Sequence, residues 1–422
     1  MPAQVATDPV RARAFAATVV AQLRGAGFES YWAGGCVRDD LLGRTPADYD
    51  VATAARPDDV RRLFGRGRTI AVGAAFGVIT VLGPDSAGQV EVATFRSDAA
   101  YTDGRHPAGV TFCSAREDAS RRDFTINGLF LDPDTGSVID FVGGRQDLAT
   151  GVVRAIGVPA QRFGEDHLRM LRGVRFAAAF GFALEDRTRE AIERLGHLVA
   201  SVSPERIAAE LRAMVERPGR LRALELLAQT GLAAVVLPEF AGPGAAAATG
   251  WSRAAALIDA IDEPDLPLAL ATLADGQTVG GLERSGARLR LSNREVAKAA
   301  WLHGAITAVG SCDAAELAAR PWSAVQPFAA HPLAACLADL LRARAARGTG
   351  DAIAAAWFTS QVARPRNELD PPPLLTGADL LAAGIPAGPG LGRALETVRR
   401  LQLDGRIDSR EAAFAAARSA AG

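Results

Sequence analysis

An α+β head of roughly 150 residues followed by a long all-helical remainder is the fold class that this sequence predicts. Three observations carry it. Short β-type runs punctuated by glycine and proline are confined to the part of the chain before about Ile156. From Glu165 onward the texture turns to Ala, Leu and Arg, with apolar residues at helical spacing and few β-branched runs. The composition of the 422 residues, 49% hydrophobic and 23% charged, is that of an ordinary globular protein, which excludes disordered, collagen-like and low-complexity classes. At about 100–200 residues per domain, the length allows two to four domains, each with room for its own core.

The elements follow in order. Asp8–Ala26 and Pro57–Phe64 have helical periodicity, and the runs Ser30–Ala33, Tyr49–Ala52, Thr69–Val72, Val78–Leu82, Val90–Phe95 and Val138–Val142 read as strands. Beyond them, Leu168–Phe180, Pro204–Val215, Leu221–Thr230 and Arg253–Ile261 read as helices. Breaks are expected at Pro238–Gly250, Gly348–Asp351 and the proline-rich Arg364–Pro373.

Charge and cysteine usage narrow the function classes. With 47 Lys+Arg against 48 Asp+Glu, any nucleic-acid surface must be a local patch. The single lysine, Lys298, nearly excludes chemistry that depends on a Schiff-base or P-loop lysine. Cys36, Cys113, Cys312 and Cys336 stand far apart with no CxxC pair, so a disulfide framework or zinc site is not expected and a reducing cytoplasm is. Residues 1–30 lack a signal peptide's apolar block, and no apolar run reaches the roughly 18 residues of a membrane span, so no membrane partner is expected.

The first chemical signal is Tyr31–Asp50, YWAGGCVRDDLLGRTPADYD. A strand runs into Gly34-Gly35, a helix follows through Leu41-Leu42, and a second strand starts near Asp48. The glycines let backbone amides approach a phosphate at a helix N-terminus, and Arg38 adds a fork of charged donors. Asp48 and Asp50, two apart on a strand, send both carboxylates to one face, as Mg²⁺ held jointly with nucleotide phosphates requires. Taken alone, Asp-x-Asp is a solvated strand end; the Gly-Gly upstream with a helix between reverses that reading. Glu91, alternating with Val90 and Val92, is the best-placed third carboxylate, and equally an exposed strand glutamate.

Two further blocks supply donors and acceptors. Arg121–Gly128, RRDFTING, sets Arg122, Asp123 and Asn127 around one apolar turn, suited to phosphates and sugar hydroxyls or to a helix start with satisfied charges. In Gly164–Phe176, GEDHLRMLRGVRF, Glu165 and Asp166 are expected in a first helical turn, and Arg169, Arg172 and Arg175 form one ridge. A wet helix face with Glu165–Arg169 and Asp166–Arg169 pairs is the plainer account. The sharper one is that Asp166 accepts while Arg169 donates, matching the exocyclic amine and ring acceptor of cytosine and adenine but not the edges of uracil or guanine.

In this order, the blocks GGCVRDDLLG with ADYD, VEVATFRSDAAYTDGRHP, RRDFTING, DFVGGRQDL and EDHLRMLRGVRF resemble the tRNA nucleotidyltransferase / poly(A) polymerase family of bacterial-type CCA-adding enzymes. Weaker echoes are VSPERIAAEL, LPEF and LRLSNRE; the likeness is strong over about the first 215 residues and thin after that. The resemblance implies a nucleotidyltransferase head (1–155), a helical neck with a nucleotide-selecting helix (156–222), a helical body (223–340) and a helical tail (341–422) with tRNA contacts. It implies template-independent transfer of CMP and AMP from CTP and ATP to the tRNA 3′ end, with release of pyrophosphate; a protein partner is not implied. On this likeness Asp48 and Asp50 hold two Mg²⁺ ions with Glu91 beside them, and Gly35 and Arg38 contact the triphosphate. Arg122, Asp123 and Asn127 serve phosphate and ribose, Asp166 and Arg169 read the base, and Arg172 and Arg175 support that pair or the triphosphate.

Within the family, poly(A) polymerases usually carry a basic, His-containing segment before the third-carboxylate strand, and Gly67–Leu82 has none. The loop Arg96–Pro107 is intact in sequence, which favours complete CCA addition or A-only addition over CC-only addition. Gly128 stands where the family more often has alanine, and the absence of a His-Asp dyad in the helical part argues against an appended phosphohydrolase domain. A poly(A) polymerase, an A-adding enzyme and a non-catalytic RNA-binding protein remain the alternatives; loss of Asp48 or Asp50 would be the sign of the last. Residues 151–225, with 13 Arg against 10 acids, offer a mildly basic face for tRNA, and Arg342, Arg344, Arg347, Arg399 and Arg400 are candidate tail contacts.

Overall fold

The computed structural model describes residues 7–98, 110–242 and 244–421, and the chain divides into two compact units, 1–243 and 244–422. Most of the loop Arg96–Pro107, with His106, lies outside the described residues.

The first unit opens with helix α1 (Pro9–Gly25), whose cap Asp8 accepts hydrogen bonds from the amides of Val10 and Arg11, with Pro9 pre-set for the first turn. Strand β1 (Ser30–Ala33), helix α2 (Gly35–Leu41) and strand β2 (Tyr49–Thr53) follow at the expected places. Then come α3 (Pro57–Phe64), β3 (Thr69–Ile70), β4 (Val78–Leu82), β5 (Gln89–Thr94), the paired β6 (Arg96–Asp98) and β7 (Val110–Phe112), α4 (Ala115–Ser120), β8 (Leu129–Leu131) and β9 (Val138–Asp140). Seven of these strands make one mixed sheet in the order β3-β4-β5-β2-β1-β8-β9, in which only β2 and β5 run parallel.

Period-2 alternation explains which face is which. In β5, Val90, Val92 and Thr94 are buried while Gln89 and Glu91 are exposed; in β2, Tyr49 and Val51 are buried while Asp50 is half-exposed. One face is covered by α1, which packs on β1 and β2, and by α3, which packs on β4. Phe95, Ala115, Ala119 and Phe130 form an apolar cluster with Ala33 and Ala52 beneath α4. Asp50 and Glu91 are register partners on the parallel pair, so the sheet sets these two carboxylates side by side.

Helices α5 (Gly144–Thr150), α6 (Pro159–Glu165), α7 (Leu168–Phe180), α8 (Asp186–Leu195), α9 (Pro204–Val215), α10 (Arg220–Gln229) and α11 (Leu232–Val236) complete the unit. A two-stranded parallel ribbon of β10 (Val152–Val153) and β11 (Ala183–Leu184) interrupts the expected all-helical stretch. The second unit is helical throughout its described residues, with a core around Leu302, Leu337, Leu340 and Phe358 and a separate one around Leu380, Ala394 and Val398. Its first helix begins at Ala245, eight residues earlier than expected, so the break at Pro238 ends by Gly244. Among the described residues no single helix is long and apolar enough to cross a membrane.

Candidate active site

Gly34 makes the turn from β1 into α2 at φ +73° and ψ −123°, a conformation open to glycine alone, and its amide donates to the Leu129 carbonyl. Behind it, the buried Cys36 thiol donates to the carbonyls of Ala33 (3.4 Å) and Asp50 (3.8 Å), which ties the start of α2 to the strand bearing the carboxylates. Burial pushes that thiol up to about 12, so it stays protonated and structural. Arg38, one turn into α2, donates to Asn127 Oδ1 at 2.7 Å and to its neighbour Asp39 at 2.9 Å.

Asp48 is exposed just before β2, and Asp50 sits two residues on. Burial raises Asp50 to about 7, with the charges of Asp48 and Glu91 adding to the effect and Arg122 opposing it. Carboxylates that repel one another in this way fit a divalent cation, whose charge would relieve the repulsion. Among the described residues no three acid, His or Cys side chains gather closely enough to hold an ion by themselves. The donor set therefore suits a cation that completes its shell with substrate phosphates and water, as Mg²⁺ does.

The arginines are positioned by a chain of buried acids. Ser114 and Glu117 form a capping box that starts α4, and this places Asp118 under the turn that follows. Asp118 accepts from Arg121 (2.8 Å), Arg122 (3.1 Å) and the amide of Arg96. Burial works to raise it, but the Arg122 and Arg121 charges bring it below the usual carboxylate range. Asp123 is buried and accepts from Arg172 (2.8 Å), Asn127 (3.0 Å) and the Phe124 amide (2.8 Å); against its burial, these partners hold it at about 2. Asn127 thus bridges Arg38 on one side and Asp123 on the other.

Glu165 and Asp166 do not share a first helical turn. Glu165 ends α6, Asp166 is extended (φ −143°, ψ 106°) in the break, and α7 starts at Leu168. The reason is the partners on offer: Asp166 accepts from the Leu168 amide (3.1 Å) and Arg206 of α9 (2.7 Å) instead of pairing with Arg169 through its side chain. Arg169 is held by Glu165 (2.6 Å) and by the carbonyls of Arg162 and Arg121, while Arg175 is held by Glu210 (2.6 Å).

These segments line one open cavity of about 630 Å³. Its wall brings together Gly35, Arg38, Asp48, Asp50, Arg122, Asp123, Asn127, Asp166, Arg169, Arg172 and Arg175, eleven of the twelve residues singled out in the sequence. Glu91 is not part of the wall; it stands beside Asp50 as its partner on the neighbouring strand. Arg206 was missed. Its signal was an arginine in the first turn of a helix, where the dipole disfavours a cation, inside one of the weaker echoes. Of the tail candidates, Arg342, Arg344 and Arg399 are occupied by Asp339, Asp275 and Asp370, which leaves exposed Arg347 and Arg400 with no carboxylate partner among the described residues. His303 bonds the Ala274 and Gln277 carbonyls, His167 pairs with Ser201 and His331 stacks on Trp301, which are structural roles.

Residues 30–154 match the family model described as the poly A polymerase head domain, and residues 181–242 match the probable RNA and SrmB-binding site of polymerase A. Over 403 residues the chain is 35% identical to the CCA-adding enzyme of Geobacillus stearothermophilus, covering 93% of each. It is 45% identical to that of Enterococcus faecalis over 210 residues, about half of each chain. The crystal structure of the Bacillus stearothermophilus CCA-adding enzyme in complex with CTP superposes with a TM-score of 0.75 at 30% identity, covering 97% of both chains. The Thermotoga maritima CCA-adding enzyme, solved with tRNA, shares the fold at a TM-score of 0.68 and 20% identity, over 97% of this chain and 95% of that one. A likeness that runs along 93% of this chain and of its Geobacillus stearothermophilus relative spans both compact units, and on it the chain belongs to the CCA-adding enzymes.

Proposed function

We propose that this protein adds C, C and A to the 3′ end of tRNA from CTP and ATP without a nucleic-acid template. The observation that carries the reading is that one cavity joins a pair of carboxylates, a wall of arginines and the acceptor–donor pair Asp166 and Arg169. The tRNA 3′-hydroxyl oxygen attacks the α-phosphorus; that P–O bond forms as the bond to the bridging oxygen breaks, pyrophosphate leaves and the hydroxyl proton passes to solvent. Asp48 and Asp50 would hold Mg²⁺, which when bound lowers the pKa of the attacking hydroxyl and neutralises charge on the leaving group.

The chain's own residues do the positioning. Gly35 and Arg38 face the triphosphate, with Arg38 oriented by Asn127. Arg122, anchored on buried Asp118, sets positive charge next to Asp50, where phosphate charge will lie. Asn127 offers its amide to the ribose, and Asp123, whose oxygens are taken by Arg172, Asn127 and the Phe124 amide, serves by holding Asn127 and Arg172 in place. Asp166 has acceptor capacity beyond its bond to Arg206, and Arg169 has donors beyond its bond to Glu165, so both reach a base edge while staying fixed from behind. We divide the chain as head 1–155, neck 156–222, body 223–340 and tail 341–422, and place the protein in the cytoplasm, in keeping with four cysteines that are all free.

The test is primer extension with Mg²⁺ on tRNA transcripts ending at the discriminator base, after C, and after CC, each offered CTP, ATP or both. Ordered addition of C, C and A that then stops is the expected result. Addition of A only to the CC-ending transcript would make this an A-adding enzyme, and long A tails a poly(A) polymerase.

A further inference from the structure

The pocket continues outward as a ladder of arginines and phenyl rings. Phe176, in the pocket wall, lies nearly parallel to Phe180 one turn on, with ring centroids 6.1 Å apart and planes 12° apart. Arg38 sits over Phe180 at 4.6 Å and over Phe176 at 5.3 Å, and Arg175 over Phe176 at 4.3 Å. At the outer end, exposed Arg44 lies over half-buried Phe180 at 5.0 Å.

Backbone geometry puts two arginines on this rim. Gly43, at φ +67°, closes the end of α2, and the Arg44 amide donates back to the Asp39 carbonyl, so the chain turns toward α7 before it reaches Asp48. On the other side, Gly219 has φ +88°, and a Cβ there would stand 2.4 Å from the Ala178 carbonyl oxygen. Only glycine lets the turn between α9 and α10 rest on the backbone of α7, and that turn carries exposed Arg217. Burial lowers the Arg175 guanidinium's pKa, Glu210 opposes this, and the charges of Arg172 and Arg217 add to the lowering, which is the mark of Arg217's proximity.

The arginines divide into two sets. Arg38, Arg172 and Arg175 are committed to Asp39, Asp123 and Glu210. Arg44 and Arg217 have no carboxylate partner among the described residues. Their guanidinium forks are free, and Phe180 restrains that of Arg44 by a cation–π contact, which reduces the entropy lost on binding an anion. On the proposed function the inner set serves the triphosphate of the nucleotide, which leaves the rim for the strand whose 3′ end enters. We propose that Arg44 and Arg217 are a phosphate-binding rim for the acceptor strand of the RNA, separate from the nucleotide subsite.

This rests on the proposed nucleotide addition, and the experiment keeps the two apart. Arg44→Glu/Arg217→Glu is compared with the wild type and with Arg66→Glu, an exposed arginine outside the pocket and rim, in single-nucleotide addition of C to a tRNA transcript, with KM measured separately for RNA and CTP. The expected result is a KM for RNA raised at least about tenfold at low salt, with the KM for CTP and kcat within about twofold and the gap narrowing as salt rises. The slope of log affinity against log salt should fall by roughly 1–2, as follows when two phosphates are no longer neutralised. Arg44→Lys/Arg217→Lys should restore part of the RNA affinity. A raised KM for CTP with RNA unchanged would assign the pair to the triphosphate and overturn the proposal. An effect no larger than that of Arg66→Glu would reduce the pair to solvated charges and overturn it also. A wild type that extends no RNA would overturn the function and the rim together, whereas an active wild type with indifferent rim variants overturns the rim alone.

Discussion

Asp48 and Asp50 are two residues apart, yet they differ in what surrounds them. Asp48 is exposed, whereas Asp50 is half-buried beside Glu91 and its backbone carbonyl accepts from Cys36. Asp48→Ala should therefore abolish nucleotide addition while leaving the melting temperature and RNA binding close to wild type; retained turnover in primer extension would remove its assignment as a metal ligand. Asp166→Ala acts on selection. It removes the only acceptor of the base-reading pair and leaves Arg169 held by Glu165, so C/A discrimination against U and G should blur more than stability falls. Competition between CTP and UTP in a single-addition assay would read this, and unchanged discrimination would refute it.

Asp123 gives the pH dependence. Its folded pKa of about 2 lies below the ordinary 3.8, so it contributes stability that is complete above about pH 4 and is lost as the pH falls through 2. The amount is on the order of 2 kcal/mol. Urea unfolding at about pH 5, 4 and 3 should show the wild type losing more stability than Asp123→Asn over that range. Parallel curves would mean that other carboxylates dominate the acid limb.

At the scale of the element, the β1–α2–β2 unit was legible because its signals are local: two glycines, a short helix and an alternating strand fix the positions of Arg38, Asp48 and Asp50. Strand β8 was not, because Leu129–Leu131 is too short and too uniformly buried to show a period. The α6–α7 break was misread for the opposite reason. Glu165-Asp166 has the look of a helix start, but the extended backbone at Asp166 is decided by Arg206, forty residues away in α9, which no local pattern reports. Glu91 lay between these cases: the alternation gave its face correctly, but its place beside Asp50 depended on strand order. Element packing also sets the least tolerant glycine near the site. A Cβ on Gly144, in the first turn of α5, would stand 2.1 Å from the Thr125 carbonyl oxygen, in the turn that carries Asn127. Backbone cannot swing aside as a side-chain tip can, so Gly144→Ala should cost at least about 1–3 kcal/mol and weaken CTP binding by shifting Asn127 away from Arg38. Thermal melts with CTP titration check this; wild-type values in both would show that α5 can slide without cost.

At the scale of the molecule, the arithmetic of charge matters most. A chain with a formal net charge of −1 has no general attraction for RNA, so affinity must come from local arrays of arginines set against phosphates. The nucleotide cavity lies wholly in the unit that ends at Pro243, and no residue of its wall comes later than Arg206. The second unit has two cores of its own and contributes exposed arginines such as Arg347 and Arg400. Cutting the chain at this division should therefore separate two properties. A protein ending at Pro243 should fold, shown by a cooperative melt, and bind CTP within about threefold of the full-length affinity, because the ion pairs that hold Arg169, Arg172, Arg175 and Asp166 are internal to it. Its affinity for tRNA should fall, with the salt slope reduced by about 0.7–0.9 for each phosphate that the second unit would otherwise neutralise. Full tRNA affinity in the truncated protein would place the whole RNA footprint on the first unit and leave the second without a part in RNA binding. Loss of CTP binding in a folded truncation would mean that the pocket depends on residues beyond its own wall.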